Sequence, residues 1–163
     1  MTQVRPLPGT GDTQRLGAAL ARACPWDAHE PRVLFLSGDL GAGKTTLAAA
    51  LLQTLGVAES VRSPSYALIE VYPLPRGEAV HVDLYRLHDA AELTQLGLRD
   101  YLQGQTLVVV EWPERAAAAL PEPDLELRLD FTTAGGDTGR RALLQARTPA
   151  GIEWLARTSP DSL

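Results

Sequence analysis

Four apolar residues recur at helical spacing near the N-terminus of the chain: Leu16, Ala19, Leu20 and Ala23. They predict one buried face of a helix from Asp12 to Ala23, with Thr10 or Asp12 as its N-cap residue. Cys24 and Pro25 follow directly. Because proline cannot continue a helix, we expect the helix to end there.

The next apolar stretch is a continuous run from Val33 to Leu36, bounded by Pro31 and Gly38. The run is too short for a helix, and its lack of polar positions is typical of a strand buried on both faces. Residues 43 to 55 then carry leucines at helical spacing, and Gly56 is placed for a left-handed C-cap. The pattern predicts a strand that passes through a glycine-rich loop directly into a helix.

Further strands are predicted at Tyr66–Tyr72, Ala79–Asp83, Thr106–Glu111, Leu125–Phe131 and Arg141–Ala146. Among them, Asp89 and Glu92 are spaced as a capping box that opens a helix. Leu93 and Leu96 of this helix are expected to face the core, and Gly97 to interrupt it. The alternation predicts an α/β fold with a mostly parallel central sheet, an antiparallel edge and flanking helices, formed by residues 1–163 as a single domain.

Charge and composition narrow the function classes. The chain has 20 acidic and 15 basic residues, a net charge of −5, and scattered arginines, so autonomous binding to a nucleic-acid backbone is disfavoured. No apolar run approaches the ~20 residues that span a bilayer, which predicts a cytoplasmic protein without membrane contact. Cys24, the only cysteine, excludes an internal disulfide and a multi-cysteine zinc site.

The glycine-rich loop carries the strongest chemical signal. Residues Gly38 to Thr45 match G-x-x-x-x-G-K-[ST] at every fixed position, which predicts a nucleoside triphosphate with Mg²⁺ on a P-loop NTPase fold. Glycines let backbone N–H groups approach phosphate oxygens, and the following helix adds the partial positive charge of its N-terminus. Lys44, the only lysine, is expected to reach the terminal phosphates, and the Thr45 hydroxyl to bind Mg²⁺. The predicted nucleotide contacts in this loop are Asp39, Leu40, Gly41, Ala42, Gly43, Lys44, Thr45 and Thr46.

Two carboxylates that follow apolar strands are the candidate catalytic residues. Glu111 comes directly after a run that ends at Val110, and Asp83 follows Val82. Ligands of open α/β sheets collect at the carboxyl ends of the strands, where both side chains are expected. Glu111 can bind Mg²⁺ through water, together with Thr45, or polarise the attacking water. Asp83 can do either, so the sequence leaves the division of labour open.

Some neighbouring residues carry weaker hypotheses. Trp112 can contact the nucleotide or pack in the core. Arg86 can stabilise transition-state charge, although a solvated or ion-paired arginine is the more common case. His81 is expected only to alternate along its strand. His29 and His88 have no cysteine or histidine partner at metal-binding spacing.

The absence of asparagine and of a second lysine excludes one class of P-loop protein. The N-K-x-D segment of Ras-like GTPases cannot occur, because the chain has no asparagine and its only lysine lies in the loop. An arginine-rich lid, usual in small-molecule kinases, is not visible. We therefore favour a compact ATPase that acts within a larger assembly. The alternatives are a kinase that transfers the γ-phosphate of ATP to a metabolite, and a nucleotide-binding adaptor with negligible turnover.

The motifs, taken in order, resemble the TsaE (YjeE) family of bacterial tRNA-modification ATPases. The matching stretches are GDLGAGKTTL, SPSYALIEVY, HVDLYRL, ELTQLGLRDYL, VVVEWPE and LPEPDLELRL, which together cover most of residues 33 to 130. The family's usual S-P-T reads Ser63-Pro64-Ser65 here, and Ser65 keeps the hydroxyl of a switch-like residue.

The resemblance extends to the first helix and implies a function. Asp12-Thr13 followed by Leu16-Gly17 is similar to the family's opening helix, so nucleotide contacts are implied at Thr10 and Thr13. Arg140 and Arg141 are further candidate contacts, in the part of the chain from Thr132 onward that carries less of the resemblance. The family's activity implies an ATPase with ATP and Mg²⁺ as cofactors that docks on the partner proteins TsaB and TsaD. It would reset that pair between rounds of threonylcarbamoyladenosine synthesis and reach tRNA only indirectly, through the complex.

Overall fold

The computed structural model describes residues 1–27, 29–64, 66–132 and 139–158. Its strands are β1 (Thr2–Leu7), β2 (Arg32–Gly38), β3 (Ile69–Pro73), β4 (Glu78–Asp83), β5 (Thr106–Glu111), β6 (Leu125–Thr132) and β7 (Gly139–Ala146). Its α-helices are α1 (Thr10–Ala23), α2 (Lys44–Thr54), α3 (Ala90–Gln95) and α4 (Pro149–Arg157). Short 3₁₀ turns occupy Leu98–Tyr101, Pro113–Arg115 and Ala117–Ala119.

These strands form one sheet in the order β1-β7-β6-β2-β5-β4-β3. The four central strands, β6, β2, β5 and β4, are parallel to one another. β3 at one edge and the β7–β1 pair at the other are antiparallel to their neighbours. The predicted α/β fold with a parallel centre and flanking helices is confirmed, with antiparallel strands at both edges where the sequence predicts one.

Alternate side chains of the central strands enter two apolar cores. The core beneath α1, α2 and α4 receives Leu34, Leu36, Leu107 and Val109. The core beneath α3 and the 3₁₀ turns receives Val33, Phe35, Val108 and Val110. Because both faces of the central strands are covered, their sequences are continuously apolar.

Close helix packing fixes the position of α2, the helix that follows the glycine-rich loop. At Gly17 of α1, a Cβ atom would lie 2.5 Å from the carbonyl oxygen of Leu47 in α2, so the two helices touch through a bare backbone. Trp154 of α4 is fully buried and donates from Nε1 to the carbonyl oxygen of Leu20 at 2.9 Å. Helices α1, α2 and α4 therefore pack together on one face of the sheet.

The start of α1 differs from the prediction. The N-cap residue is Gly9, so the expectation of Thr10 or Asp12 at this position is wrong. Asp12 instead accepts a hydrogen bond from the Gly9 backbone N–H at 2.7 Å. A carboxylate one turn into a helix satisfies a free N–H group in this way, and the helix therefore begins two residues before Asp12.

The strand predicted from Tyr66 begins only at Ile69. Leu68 has a φ angle of 60°, a left-handed conformation that an extended strand does not permit. Its N–H donates to the Pro64 carbonyl oxygen at 2.9 Å, which closes a turn before the strand. The alternating pattern at Tyr66 therefore belongs to the turn and not to the sheet.

Helix α3 confirms one part of its prediction and contradicts another. Asp89 is the N-cap residue and forms the predicted capping box with Glu92, and Leu93 is buried. Leu96, predicted to face inward, is 39 % exposed, so that expectation is wrong. The helix ends at Gln95, and the left-handed Gly97 redirects the chain into the 3₁₀ turn Leu98–Tyr101, where Leu98 is buried in place of Leu96.

Candidate nucleotide-binding site

The glycine-rich loop joins the end of β2 to the start of α2, as the sequence predicts. Gly38, Gly41 and Gly43 have φ angles of 129°, 79° and 108°. A Cβ atom on Gly38 would lie 2.2 Å from the carbonyl oxygen of Leu129, so that position also lacks space for a side chain. The glycines are required because the loop turns left-handed at three positions and touches the neighbouring strand β6 at one.

The side chain of Lys44 spans this loop. Its ammonium donates to the carbonyl oxygens of Gly38 at 2.6 Å and Asp39 at 2.8 Å, and lies 3.8 Å from the centre of the Trp112 ring. Burial lowers the pKa of Lys44, and the negative charge of Glu111 opposes that shift. The loop thus holds a buried cation at the N-terminus of α2, where that helix end adds positive charge.

Glu111, the last residue of β5, connects two elements through its carboxylate. Oε2 accepts a hydrogen bond from the Thr45 hydroxyl at 2.9 Å, and Oε1 lies 2.9 Å from Nε2 of His81. Glu111 and His81 are 1 % and 0 % exposed. The structure therefore places Glu111 directly beside Thr45, the two residues predicted together as the metal site.

Asp83 ends β4 and is the register partner of Glu111 on β5. Its Oδ1 accepts from the backbone N–H of Tyr85 at 2.9 Å, and its Oδ2 accepts from the Ser63 hydroxyl. The two predicted catalytic carboxylates are thus adjacent but contact different segments: Glu111 contacts the start of α2, and Asp83 contacts the segment before β3.

Aromatic side chains form one wall of the site. Trp112 has a left-handed φ of 59°, and its backbone N–H donates to the Leu36 carbonyl oxygen at 3.1 Å. Its ring lies 5.0 Å from the Tyr85 ring. A bulky residue in this conformation is strained, and such strain collects at functional sites because the surrounding structure holds it in place. The left-handed backbone conformation directs the Trp112 side chain towards Lys44 directly after β5 ends.

Thr13 and Arg140 lie against the opposite side of the loop. A Cβ atom on Gly43 would be 3.4 Å from Cγ2 of Thr13 and 3.8 Å from Nε of Arg140. An Arg140 guanidinium nitrogen is 3.5 Å from the Gly41 carbonyl oxygen. Within the described part of the chain, the buried Thr13 Oγ1 and Arg140 Nε have no hydrogen-bond partner. The structure thus presents two unused polar groups beside a predicted phosphate cradle.

The cleft between the glycine-rich loop and the aromatic wall has a volume of about 390 Å³. Its lining includes Leu40, Gly41, Gly43, Lys44, Thr45, Thr46, Ser63, Asp83, Tyr85, Arg86, Glu111 and Trp112. Of the other predicted contacts, Asp39 is exposed on the loop, Ala42 is buried beneath it, and Thr10 is exposed at the first residue of α1. The hydroxyl of Ser65 lies outside the described residues.

The sequence missed the placement of Tyr85 and left Arg140 as a further candidate. Tyr85 belongs to the HVDLYRL stretch, so its position two residues after Asp83 is a usable signal. Arg140 reaches the loop from β7, a position set by sheet order alone. Arg86 lines the cleft, and its guanidinium carbon lies 4.9 Å from the Tyr66 ring.

Residues 1–27, 29–64, 66–132 and 139–158 contain no cluster of three or more histidine, cysteine or acidic side chains arranged to hold a metal ion. None of the helices in the described part of the chain is both long enough and apolar enough to cross a membrane.

The chain is similar to known proteins of one family. A family model described as "Threonylcarbamoyl adenosine biosynthesis protein TsaE" matches residues 7–142. The chain belongs to the TsaE family. The tRNA threonylcarbamoyladenosine biosynthesis protein TsaE of Haemophilus influenzae is 40 % identical over 119 residues, which is 73 % of each protein. The TsaE protein of Streptomyces coelicolor is 41 % identical over 125 residues, covering 75 % of this chain and 82 % of the relative.

A solved structure extends the TsaE relationship to the fold. The crystal structure of YdiB from Bacillus subtilis aligns with a TM-score of 0.75 and 26 % sequence identity, covering 100 % of this chain and 97 % of YdiB. The resemblance to TsaE read from the motifs is therefore confirmed, and so is the P-loop NTPase fold.

Proposed function

We propose that this TsaE family protein binds ATP with Mg²⁺ and hydrolyses it. The observation that carries the proposal is the convergence of the Lys44 ammonium, the Thr45 hydroxyl and the Glu111 carboxylate at the N-terminus of α2. A buried cation, a metal-binding hydroxyl and an acid at a strand end are the parts that phosphoryl transfer on a P-loop requires.

The residues present fit a bound Mg²⁺. The Thr45 hydroxyl donates its proton to Glu111, so the lone pairs of Oγ1 remain available to a cation. Glu111 would hold the Thr45 hydroxyl in place through this hydrogen bond. It would either bind the cation through water or only orient Thr45 towards the cation. When bound, Mg²⁺ would neutralise charge on the β- and γ-phosphates.

Other groups around the glycine-rich loop would bind and orient the phosphates. The loop N–H groups and the Lys44 ammonium would hold the phosphate oxygens, and Thr13 and Arg140 would supply the polar atoms that now lack partners. We assign Glu111 the main role in hydrolysis because it contacts Thr45. Asp83 would orient the Ser63 segment that it contacts, or assist the attacking water.

We further propose that ATP hydrolysis serves threonylcarbamoyladenosine synthesis on tRNA, the process that the names of the relatives describe. The protein would act in the cytoplasm, dock on the TsaB–TsaD pair and reset it between turnovers. A net charge of −5 supports a subunit that reaches tRNA through partners, because it offers little attraction to a phosphate backbone.

The test is to measure ATP hydrolysis by the protein alone, with purified TsaB–TsaD, and with that pair and tRNA. We expect weak hydrolysis alone and stimulation by the pair, together with multi-turnover tRNA modification that requires the protein. Lys44→Ala is the control, since it removes the loop's cation and should abolish ATP binding. No stimulation and no effect on multi-turnover modification would sink the proposal.

A further inference from the structure

The side chain of His81 is fully buried in the middle of β4, between Val80 and Val82. Its register partner on β5 is Val109, so Glu111 lies diagonally opposite on the same face of the sheet. The His81 Nε2 atom is 2.9 Å from Glu111 Oε1. Long side chains at diagonal positions on neighbouring strands are close enough to contact each other, and His81 and Glu111 do so through a hydrogen bond.

The two side chains are placed to share a hydrogen bond. In the tautomer that carries its proton on Nε2, His81 donates to Oε1 of Glu111. The other ring nitrogen, Nδ1, is buried without a hydrogen-bond partner among the described residues. Leaving a buried polar atom unpaired costs free energy, so a histidine at this position is a poor choice for packing alone.

Glu111 is held from both sides by this arrangement. His81 occupies Oε1, and Thr45 occupies Oε2. The three side chains form a chain of hydrogen bonds from the interior of the sheet to the start of α2. Rotation of the carboxylate would break both contacts, so fixing one oxygen fixes the direction of the other.

We propose that His81 is a positioning residue, which orients Glu111 so that Oε2 holds the Thr45 hydroxyl in the direction required by Mg²⁺ and the attacking water. The inference rests on the proposed ATPase function and goes beyond it, since it assigns a role to a residue outside the cleft lining. Loss of a hydrogen-bond partner of a metal ligand typically changes metal affinity or activity by roughly 10- to 100-fold, and His81 acts on such a partner, Glu111.

The decisive comparison is between His81→Gln and His81→Asn. The glutamine amide nitrogen can occupy the place of Nε2 and donate to Glu111, whereas the shorter asparagine amide corresponds to Nδ1 and does not reach. Both variants are polar and similar in their effect on the fold, so their difference reports the hydrogen bond. His81→Leu is a third variant without a donor, and His88→Gln, at an exposed site, is the control.

Three quantities are measured for each variant: Mg²⁺-free ATP affinity, the Mg²⁺ concentration that half-saturates nucleotide binding, and kcat with TsaB–TsaD. For His81→Asn and His81→Leu we expect kcat to fall and the half-saturating Mg²⁺ concentration to rise, each by about 10-fold or more, with Mg²⁺-free ATP affinity within about 3-fold of wild type. His81→Gln should recover most of both losses.

Equal behaviour of the Gln and Asn variants would overturn the inference, as would a loss of Mg²⁺-free ATP affinity parallel to the loss of kcat. Thermal unfolding of all variants identifies any that fail to fold, and the Gln–Asn comparison stands without the Leu variant. If wild type hydrolyses no ATP even with its partners, the proposed function fails, yet the half-saturating Mg²⁺ concentration still tests the role of His81.

Discussion

Thr13 carries a hydroxyl that is buried against the glycine-rich loop and has no hydrogen-bond partner among the described residues. Thr13→Val replaces that hydroxyl by a methyl group of similar size. Because a buried unpaired hydroxyl costs roughly 1–3 kcal/mol, we expect this variant to raise the free energy of unfolding by about 1 kcal/mol without nucleotide. It should also weaken ATP binding several-fold, since the resemblance to TsaE implies a nucleotide contact at Thr13. Urea unfolding and a binding titration measure the two effects.

Thr106→Val is the matched control for Thr13. Thr106 is equally buried, but its hydroxyl donates to the Gln103 carbonyl oxygen at 2.8 Å. Removing a hydroxyl that has a partner should lower the free energy of unfolding by about 1 kcal/mol and leave ATP affinity unchanged. If the two valine variants destabilise the protein equally, the Thr13 hydroxyl has a hydrogen-bond partner in solution and the prediction is wrong.

The two adjacent carboxylates can be separated by substitution. Glu111→Gln keeps the size of the side chain and removes its charge beside Thr45, so we expect nucleotide binding to persist and hydrolysis to fall by about 100-fold or more. Asp83→Asn should have the smaller effect on kcat, because the hydrogen bonds described above join Asp83 to Ser63 and Tyr85 and not to Thr45. Single-turnover hydrolysis with TsaB–TsaD distinguishes them. Turnover that survives in Glu111→Gln would make Asp83 the main catalytic carboxylate.

At the scale of elements, the contact between α1 and α2 depends on Gly17. Gly17→Ala would place a Cβ atom 2.5 Å from the Leu47 carbonyl oxygen, and the helices would have to separate. We expect a loss of about 2 kcal/mol in the free energy of unfolding, within the range for overpacked sites. Gly11→Ala, exposed on the same helix, is the control. It should be neutral or slightly stabilising, because alanine favours a helix over glycine.

Chemical denaturation of both alanine variants measures this difference. A Gly17→Ala variant as stable as Gly11→Ala would show that α1 and α2 do not need the close approach. Because α2 begins at Lys44, a shift of this helix should also weaken ATP binding in Gly17→Ala.

Elements with a strong local signal were predictable. The apolar run of β2, the helical leucines of α2 and the capping box of α3 each lie within a short segment of sequence. β1 was missed because its burial opposes its polarity, with Val4 exposed and Arg5 buried, and because its pairing partner, β7, lies at the other end of the chain. α4 was missed because it is short, and its anchor, the hydrogen bond from Trp154 to Leu20, depends on tertiary packing.

The same distinction applies to the candidate site. The loop from Gly38 to Thr45 is local, and Glu111 and Asp83 follow from the rule that ligands collect at strand ends. Arg140 could not be placed, since only the order of strands in the sheet brings β7 beside β6 and the loop. His81 was interpreted as a strand residue alone, because a diagonal contact between β4 and β5 requires their register.

For the whole molecule, charge sets the expected relation to RNA. With a net charge of −5, we expect the purified protein alone to retain no tRNA at about 150 mM salt, where screening leaves little long-range attraction. Filter binding or gel shift measures this, with the TsaB–TsaD pair as the positive control. Tight binding by the protein alone, with a steep dependence on salt, would show a direct RNA surface.

The position of Trp112 has an optical consequence. Of the three tryptophans, Trp154 is fully buried and Trp26 packs against the core beneath α1, α2 and α4, and neither lines the cleft, whereas Trp112 lies 3.8 Å from the Lys44 ammonium. A ligand that engages this ammonium changes the electric field at the indole, so the intrinsic emission of the protein should shift in wavelength or intensity as ATP is added. Trp112→Phe should abolish the signal while leaving the emission of the other two. If ATP binds in this cleft as proposed, Trp112 is a natural fluorophore beside it, and nucleotide occupancy would be followed in real time without a label.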